Sequence, residues 1–304
     1  MRNVTKISLA LLMALVLVPQ AFVSARNADT TFIGWKKSMI IDLTTTQTAY
    51  SDSWLGGEAG SVNWVGNLNA FAEKKLSPDV DFRSTLRLSF GQTLTQDAET
   101  KDWSKPKKST DLIDWDNVAR FTLGKYVDPF VGFRLEGRFL NAQVPNKKLY
   151  LTPLKFTESA GIARRFYERD KDQVTSRLGL AVKQTLKKMI LSYDPMYTTG
   201  DSTLIDGGLE SVTDANLTLN ERLSYTGKLS LYKAFFFSGK DDVLGTPYED
   251  YWKAIDVNWE NMVSASISKI VTVNLYTQFL YDKQESRKGR IKETVGLGLV
   301  YKMW

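Results

Sequence analysis

Two arrangements of residues resemble those that enzymes use. Ser230 and Lys233 have the Ser-x-x-Lys spacing of some acyl-transfer enzymes. In a strand, side chains three positions apart face opposite sides, so these two cannot meet. Paired carboxylates for glycoside hydrolysis are the second option, but no spacing among the 34 acidic residues singles out one pair. We therefore predict no catalytic residues.

A third arrangement could bind a metal ion. Asp241, Asp242, Glu249 and Asp250 form an acidic segment, and calcium prefers six to eight oxygen ligands. Their spacing fits no EF-hand loop. Ordinary exposed carboxylates are the simpler interpretation, and we predict no metal site.

The amino-acid composition excludes several kinds of chemistry. The 304 residues include no histidine and no cysteine. This removes imidazole bases, Ser-His-Asp triads, nearly all zinc sites and any disulfide framework. The net charge of +6 is mild, and no basic helix or stacking platform indicates nucleic-acid binding. We predict a protein that is not an enzyme and needs no cofactor.

The polar residues that remain lie in segments with a two-residue period. In residues 80–90, Phe82, Leu86 and Leu88 fall on one face, and Arg83 and Arg87 fall on the other. Such a segment predicts a β-strand. In a soluble sheet the apolar face would cover a core, whereas in a membrane barrel it faces lipid and the charged face lines the lumen.

The number and length of these segments favour the barrel. About twelve segments alternate from Trp35 onward, many over roughly 9 residues or more, the length of a membrane-crossing strand. Soluble strands are typically about 5 to 6 residues long. Short connections (74–79, 125–129, 167–172, 217–220, 268–271) alternate with long ones (48–60, 95–112, 142–153, 186–203, 235–251, 283–290). We predict an all-β, antiparallel up-and-down transmembrane β-barrel of about 12 strands, with a soluble sandwich or solenoid as the alternative.

The first residues have the features of a secretory signal peptide. Arg2 and Lys6 precede an apolar run from Ile7 to Val18, and Ala25 provides a small residue at the end. The run is shorter than the roughly 20 residues of a spanning helix. We predict a signal peptide at 1–25, a barrel domain at 26–304, and location in the outer membrane.

Charged residues on the predicted lumen face form a candidate site. Its members are Arg83, Arg87, Asp114, Asp116, Arg120, Arg134, Glu136, Arg138, Arg177, Lys183, Asp256 and Glu260. As a basic wall, they would favour anionic solutes. As an internal network of salt bridges, they would fill a narrow barrel. Both interpretations stay open.

Several short blocks resemble a known family. They are Gly34-Trp35-Lys36-Lys37-Ser38, Ser53-Trp54-Leu55-Gly56-Gly57-Glu58, Thr157-Glu158-Ser159-Ala160-Gly161, Trp259-Glu260-Asn261 and Lys292-Glu293-Thr294-Val295-Gly296-Leu297-Gly298. Together they resemble the bacterial outer-membrane barrel family called domain of unknown function 3078. The resemblance implies an outer-membrane location and supplies no catalytic residues.

The final segment, which ends at Trp304, resembles the terminal strand of outer-membrane barrels. This resemblance implies the barrel-assembly machinery as a partner. Basic residues in the long connections, such as Lys187 and Lys188, suit contacts with lipopolysaccharide phosphates.

These features predict an outer-membrane barrel that is pore-like or structural and passes small polar or anionic solutes if it conducts. The alternative is a non-conducting, surface-binding or adhesion-type barrel that uses its long loops, and an enzyme ranks third. The sequence identifies no solute.

Overall fold

A computed structural model describes residues 34–50, 59–123, 126–141, 148–169, 172–192 and 198–303. The predicted signal peptide and Trp304 lie outside these residues. The described strands are β1 (Lys36–Thr48), β2 (Ser61–Ser77), β3 (Val80–Thr95), β4 (Lys107–Phe121), β5 (Asp128–Gly137), β6 (Leu140–Asn141), β7 (Leu149–Tyr150), β8 (Leu154–Arg169), β9 (Asp172–Ser192), β10 (Thr198–Thr218), β11 (Leu223–Phe237), β12 (Ile255–Ser266), β13 (Val271–Tyr281) and β14 (Arg290–Met303).

Twelve of these strands form one closed antiparallel barrel. Each barrel strand pairs with the barrel strands before and after it in the chain, and β14 closes the ring by pairing with β1. Strands β6 and β7 form a small separate hairpin within the connection from β5 to β8. The prediction of an antiparallel, up-and-down barrel of about 12 strands is confirmed. No helix in the described residues is long and apolar enough to cross a membrane.

The two-residue period separates the faces of the barrel wall. On β9, Leu178 and Leu180 point outward and are 45% and 65% exposed, while Arg177 points into the lumen and is buried. On β14, Val295 and Leu297 are likewise exposed. The apolar row is therefore the outer face, and the charged row lines the lumen.

Apart from 193–197, the connections at one end of the barrel are longer than those at the other. One end has the short connections 78–79, 122–127, 170–171, 219–222 and 267–270. The other has 49–60, 96–106, 138–153, 193–197, 238–254 and 282–289. Because the number of strands is even, the start of β1 and the end of β14 both lie at the short-connection end.

The prediction of a long connection at 186–203 is wrong. Strands β9 and β10 are each 21 residues long, and their pairing continues to Thr198 and Ser192. In the extra length, Lys187 and Lys188 face Ser202 and Asp201. The adjacent lysines and the run Met189–Leu191 interrupt the two-residue period, so alternation does not mark this part as a strand.

Candidate functional site: a charge layer across the lumen

Seven charged side chains meet in the middle of the lumen, and we call this group the charge layer. Six of the seven side chains are at most 11% exposed, and Arg87 is 22% exposed. The members are Arg87, Asp114, Asp116, Arg134, Arg177, Lys228 and Glu260. Four cations therefore face three carboxylates in a nearly closed space.

Asp114 is the centre of the layer. Strand register places Arg87 directly opposite Asp114, and Arg87 Nε lies 3.1 Å from Asp114 Oδ2. Arg134 donates to the other oxygen, with Nε 2.8 Å from Oδ1. Lys228 Nζ lies 3.7 Å from Oδ2. One carboxylate, itself 2% exposed, thus holds three cations from three different strands.

Besides the contact of Lys228 with Asp114, two shorter ion pairs cross the lumen. Arg87 Nη1 on β3 lies 2.9 Å from Glu260 Oε2 on β12, although four strands separate β3 from β12 by the shorter way round. Lys228 Nζ on β11 lies 3.3 Å from Asp116 Oδ2 on β4, again with four strands between. Side chains therefore span the lumen at this level.

Further hydrogen bonds fix the position of Glu260. Tyr276 Oη donates to Glu260 Oε2 at 3.2 Å, and Asn258 Nδ2 donates to Oε1 at 3.1 Å. Gln278 Nε2 in turn donates to Asn258 Oδ1 at 2.8 Å. On the opposite wall, Arg177 Nη2 lies 2.6 Å from Asp116 Oδ2. Buried charges are stable only when such partners satisfy them.

Other predicted lumen residues pair nearer the short-connection end. Arg83 pairs with Glu73 at 3.3 Å and also contacts Gln173. Arg120 pairs with Asp81 at 2.6 Å.

Towards the long-connection end, Lys183 lies 3.7 Å from Asp256. Glu136 joins Arg134 at 3.0 Å. Arg138, predicted to lie on a strand, follows the end of β5 at Gly137, because the chain leaves the wall there for the β6–β7 hairpin.

Lys228 was missed as a member of the site. Alternation alone places it on the polar face of β11, but only strand register brings it opposite Glu260. Ser230 and Lys233 both lie on β11, three positions apart, and do not meet. Lys233 lies outside the lumen face that carries Ser230, and among the described residues no group of three or more acidic residues is placed to hold a metal ion.

A second set of ion pairs crosses the long-connection mouth. Lys155 on β8 lies 3.5 Å from Glu285 and 3.7 Å from Asp282, both in the connection 282–289. Arg290 also pairs with Glu285, at 3.1 Å. Burial raises the pKa of the Glu285 carboxyl, but the charges of Lys155 and Arg290 outweigh it, and the pKa falls to about 2.

The connection 238–254 folds over the same mouth. Trp252 packs against the lumen-facing side chains of Ala181, Tyr232 and Ala234. Lys283 Nζ lies 4.7 Å from the ring centre of Tyr251. The two connections 238–254 and 282–289 are therefore joined above the charge layer.

Comparison with known proteins agrees with the resemblance seen in the sequence. Residues 45–142 match a family described as "Protein of unknown function (DUF3078)". The match spans β2 to β5 and includes Arg87, Asp114, Asp116 and Arg134 of the charge layer. No curated protein matches the chain.

Solved structures that the chain resembles are barrels of the outer membrane. The translocator domain of autotransporter NalP from Neisseria meningitidis is 10% identical, covers 89% of this chain and 90% of its own, and has a TM-score of 0.36. The COG4313 outer membrane channel from Pseudomonas putida F1 is 12% identical, with 92% and 98% covered and a TM-score of 0.38. The NanC porin is 8% identical, with 88% and 100% covered and a TM-score of 0.34. These likenesses are too weak to indicate a function.

Proposed function

We propose that the protein is a structural outer-membrane barrel whose lumen is closed by the charge layer. Its outer face supports the location. Leucines such as Leu180, Leu275 and Leu297 are exposed there, while the carboxylates of Asp114 and Glu260 are buried inside. Hydrocarbon solvates such an outer face, whereas water does not.

The ion pair between Arg87 and Glu260 is the observation that supports closure. To pass, a solute would have to separate a contact of 2.9 Å that spans the lumen. The two charges, which are shielded from water, would then each lose their partner. Removing one partner of a buried pair costs about 3–5 kcal/mol. This cost makes a freely open pore through the centre unfavourable.

Charge pairing also argues against an anion-selective wall. Arg83, Arg87, Arg120, Arg134 and Arg177 each lie within 3.3 Å of a carboxylate. Paired cations create a much weaker field for a passing anion than free ones do. The internal network of salt bridges is therefore the better of the two interpretations of the lumen charges.

A surface-binding barrel is the second candidate. The β9–β10 hairpin favours it, since its strands of 21 residues exceed the 10 to 17 residues of the other barrel strands. The excess extends beyond the rim, where a partner could reach it. Under both candidates we propose outer-membrane lipid and lipopolysaccharide as surroundings, and the barrel-assembly machinery as the partner that reads β14.

Liposome swelling tests the proposal. The protein, extracted from the outer-membrane fraction and shown to migrate differently on gels before and after boiling, is reconstituted and exposed to small sugars and amino acids. We expect swelling no faster than in protein-free liposomes. Rapid swelling would support a pore, and recovery in the soluble periplasmic fraction would contradict the membrane location.

A further inference from the structure

The seam between β1 and β14 is the shortest pairing in the barrel wall. It contains six residue pairs, from Met39↔Met303 to Thr44↔Gly298. By contrast, β1 forms thirteen pairs with β2, and β14 forms ten with β13. Beyond Thr44, towards the long-connection end, the described residues include no ladder partner across the seam for 45–48 or for 290–297.

Side-chain exposure marks the same place. Residues 45–48 are exposed on both faces of β1. On β14, Ile291 is 80% exposed, more than the outer-face residues Leu180 and Leu299 of the paired wall, at 65% and 61%. In the part of the chain that the structure describes, the wall therefore has a lateral opening, bordered by residues 45–48 and 290–297, on the long-connection side of the charge layer.

An unpaired strand edge is costly in a membrane. Backbone N–H and C=O groups that face hydrocarbon without a partner lose their hydrogen bonds, which is why open sheet edges are not found there. If the barrel lies in the membrane, as proposed above, the edge of β14 needs a polar partner. This part of the argument rests on that proposed location.

Lys292 indicates the chemistry of the partner. It faces the lumen on β14, next to the opening, and Nζ lies 3.4 Å from Thr110 Oγ1 across the lumen. Nζ also lies 5.8 Å from the centre of the Tyr276 ring. Among the described residues, no carboxylate forms a salt bridge with Lys292, although Lys155 and Lys183, two lumen cations of the same region, each have at least one.

We propose that the opening admits an amphipathic lipid with an anionic phosphate headgroup from the outer leaflet. The phosphate accepts hydrogen bonds from Lys292 and from free backbone N–H groups of β14. Such hydrogen bonds are strong because the acceptor is charged. The acyl chain stays outside against Ile291, Val295 and Leu297. The charge layer forms the floor of the headgroup site and prevents passage towards the short-connection end.

A β-strand from another protein is the competing occupant. It would satisfy the backbone edge by strand addition. It would not supply an anion for Lys292, and it would not bring a polar group into the lumen. Because the Lys292 ammonium has no carboxylate in a salt bridge within the described residues, an anionic lipid fits the opening better than a β-strand does.

The absence of cysteine allows a single-site fluorescence test. Thr46→Cys, on the border of the opening, is labelled with an environment-sensitive dye, and the protein is placed in phosphatidylcholine nanodiscs. The probes are dodecyl phosphate, inorganic phosphate and dodecyl maltoside. We expect a saturable change with dodecyl phosphate alone, because the site needs both the phosphate and the chain.

Substitutions at Lys292 test the role of its charge. In Lys292→Met, the apparent affinity for dodecyl phosphate should fall about tenfold or more, as expected for a lost charge-assisted hydrogen bond. Lys292→Arg should bind nearly as well as the wild type. Lys233→Met, which removes a lysine of β11 away from the opening, should bind like the wild type.

Three results would overturn the inference. They are no saturable response to dodecyl phosphate, equal affinity in Lys292→Met and the wild type, or a second polypeptide crosslinked to the Thr46→Cys variant through its single thiol in native membranes. Gel migration before and after boiling is measured on each sample first. A protein that fails to insert contradicts the proposed membrane location, whereas an inserted protein without a response contradicts only the lipid site.

Discussion

Arg87 and Glu260 lie 173 positions apart in the chain, yet their side chains meet at 2.9 Å across the lumen. Each has a further partner. Arg87 also pairs with Asp114, and Glu260 also accepts a hydrogen bond from the Tyr276 hydroxyl. The interior of this barrel is therefore a connected polar core. Under the proposed function, both the stability of the barrel and its closure depend on that core.

Asp114→Asn should strongly destabilise the barrel. The amide keeps the shape of the side chain but leaves Arg87, Arg134 and Lys228 without their shared charge. We expect the free energy of unfolding to fall by about 3–5 kcal/mol. It is measured by urea unfolding of the protein in liposomes, with gel mobility reporting the folded fraction. Asp242→Asn, in an exposed connection, is the control and should change it by less than about 0.5 kcal/mol. Similar small losses in both variants would contradict the central role of Asp114.

Leu180→Arg and Leu244→Arg separate a membrane barrel from a soluble one. The two leucines are 65% and 67% exposed, but Leu180 is on the outer face of β9 and Leu244 is in the connection 238–254. In a bilayer, Leu180→Arg should lower the free energy of unfolding by about 2–4 kcal/mol. Leu244→Arg should be nearly neutral. If both were neutral, the outer face would be meeting water.

Glu285 should make stability depend on pH. Its pKa of about 2 lies below the ordinary value of 4.5. A carboxyl whose pKa is lowered by folding stabilises the fold above its unfolded pKa, and this contribution is lost as the pH falls through the folded value. We expect wild-type stability to decline between pH of about 4.5 and 2, and Glu285→Gln to decline less. Glu221→Gln, in a short exposed connection, should follow the wild type in heat-stability measurements over this range.

Alternation was sufficient to predict the two faces of the wall. Strict period-two segments such as the one containing Leu86 and Arg87 place lipid-facing and lumen-facing residues without any knowledge of neighbours. The number of strands followed from counting these segments. The β9–β10 extension was not predictable in this way, because residues 187–191 interrupt the two-residue period.

The partners within the charge layer could not be predicted from one sequence. Asp114 and Arg87 belong to neighbouring strands, so they were plausible partners once β3 and β4 were recognised. The pairs Arg87–Glu260 and Lys228–Asp116 depend on strand tilt, register and barrel diameter together. A shift of register by two residues would keep every face the same and break both contacts.

Single-channel recording in planar bilayers tests closure by the charge layer most directly. Wild-type protein is compared with the double variant Arg87→Ser/Glu260→Ser, in which the pair that crosses the lumen is absent. We predict no stable conductance steps for the wild type and measurable steps for the double variant. Steps of the same size in both proteins would contradict the account, since the lumen would then be open with the pair in place.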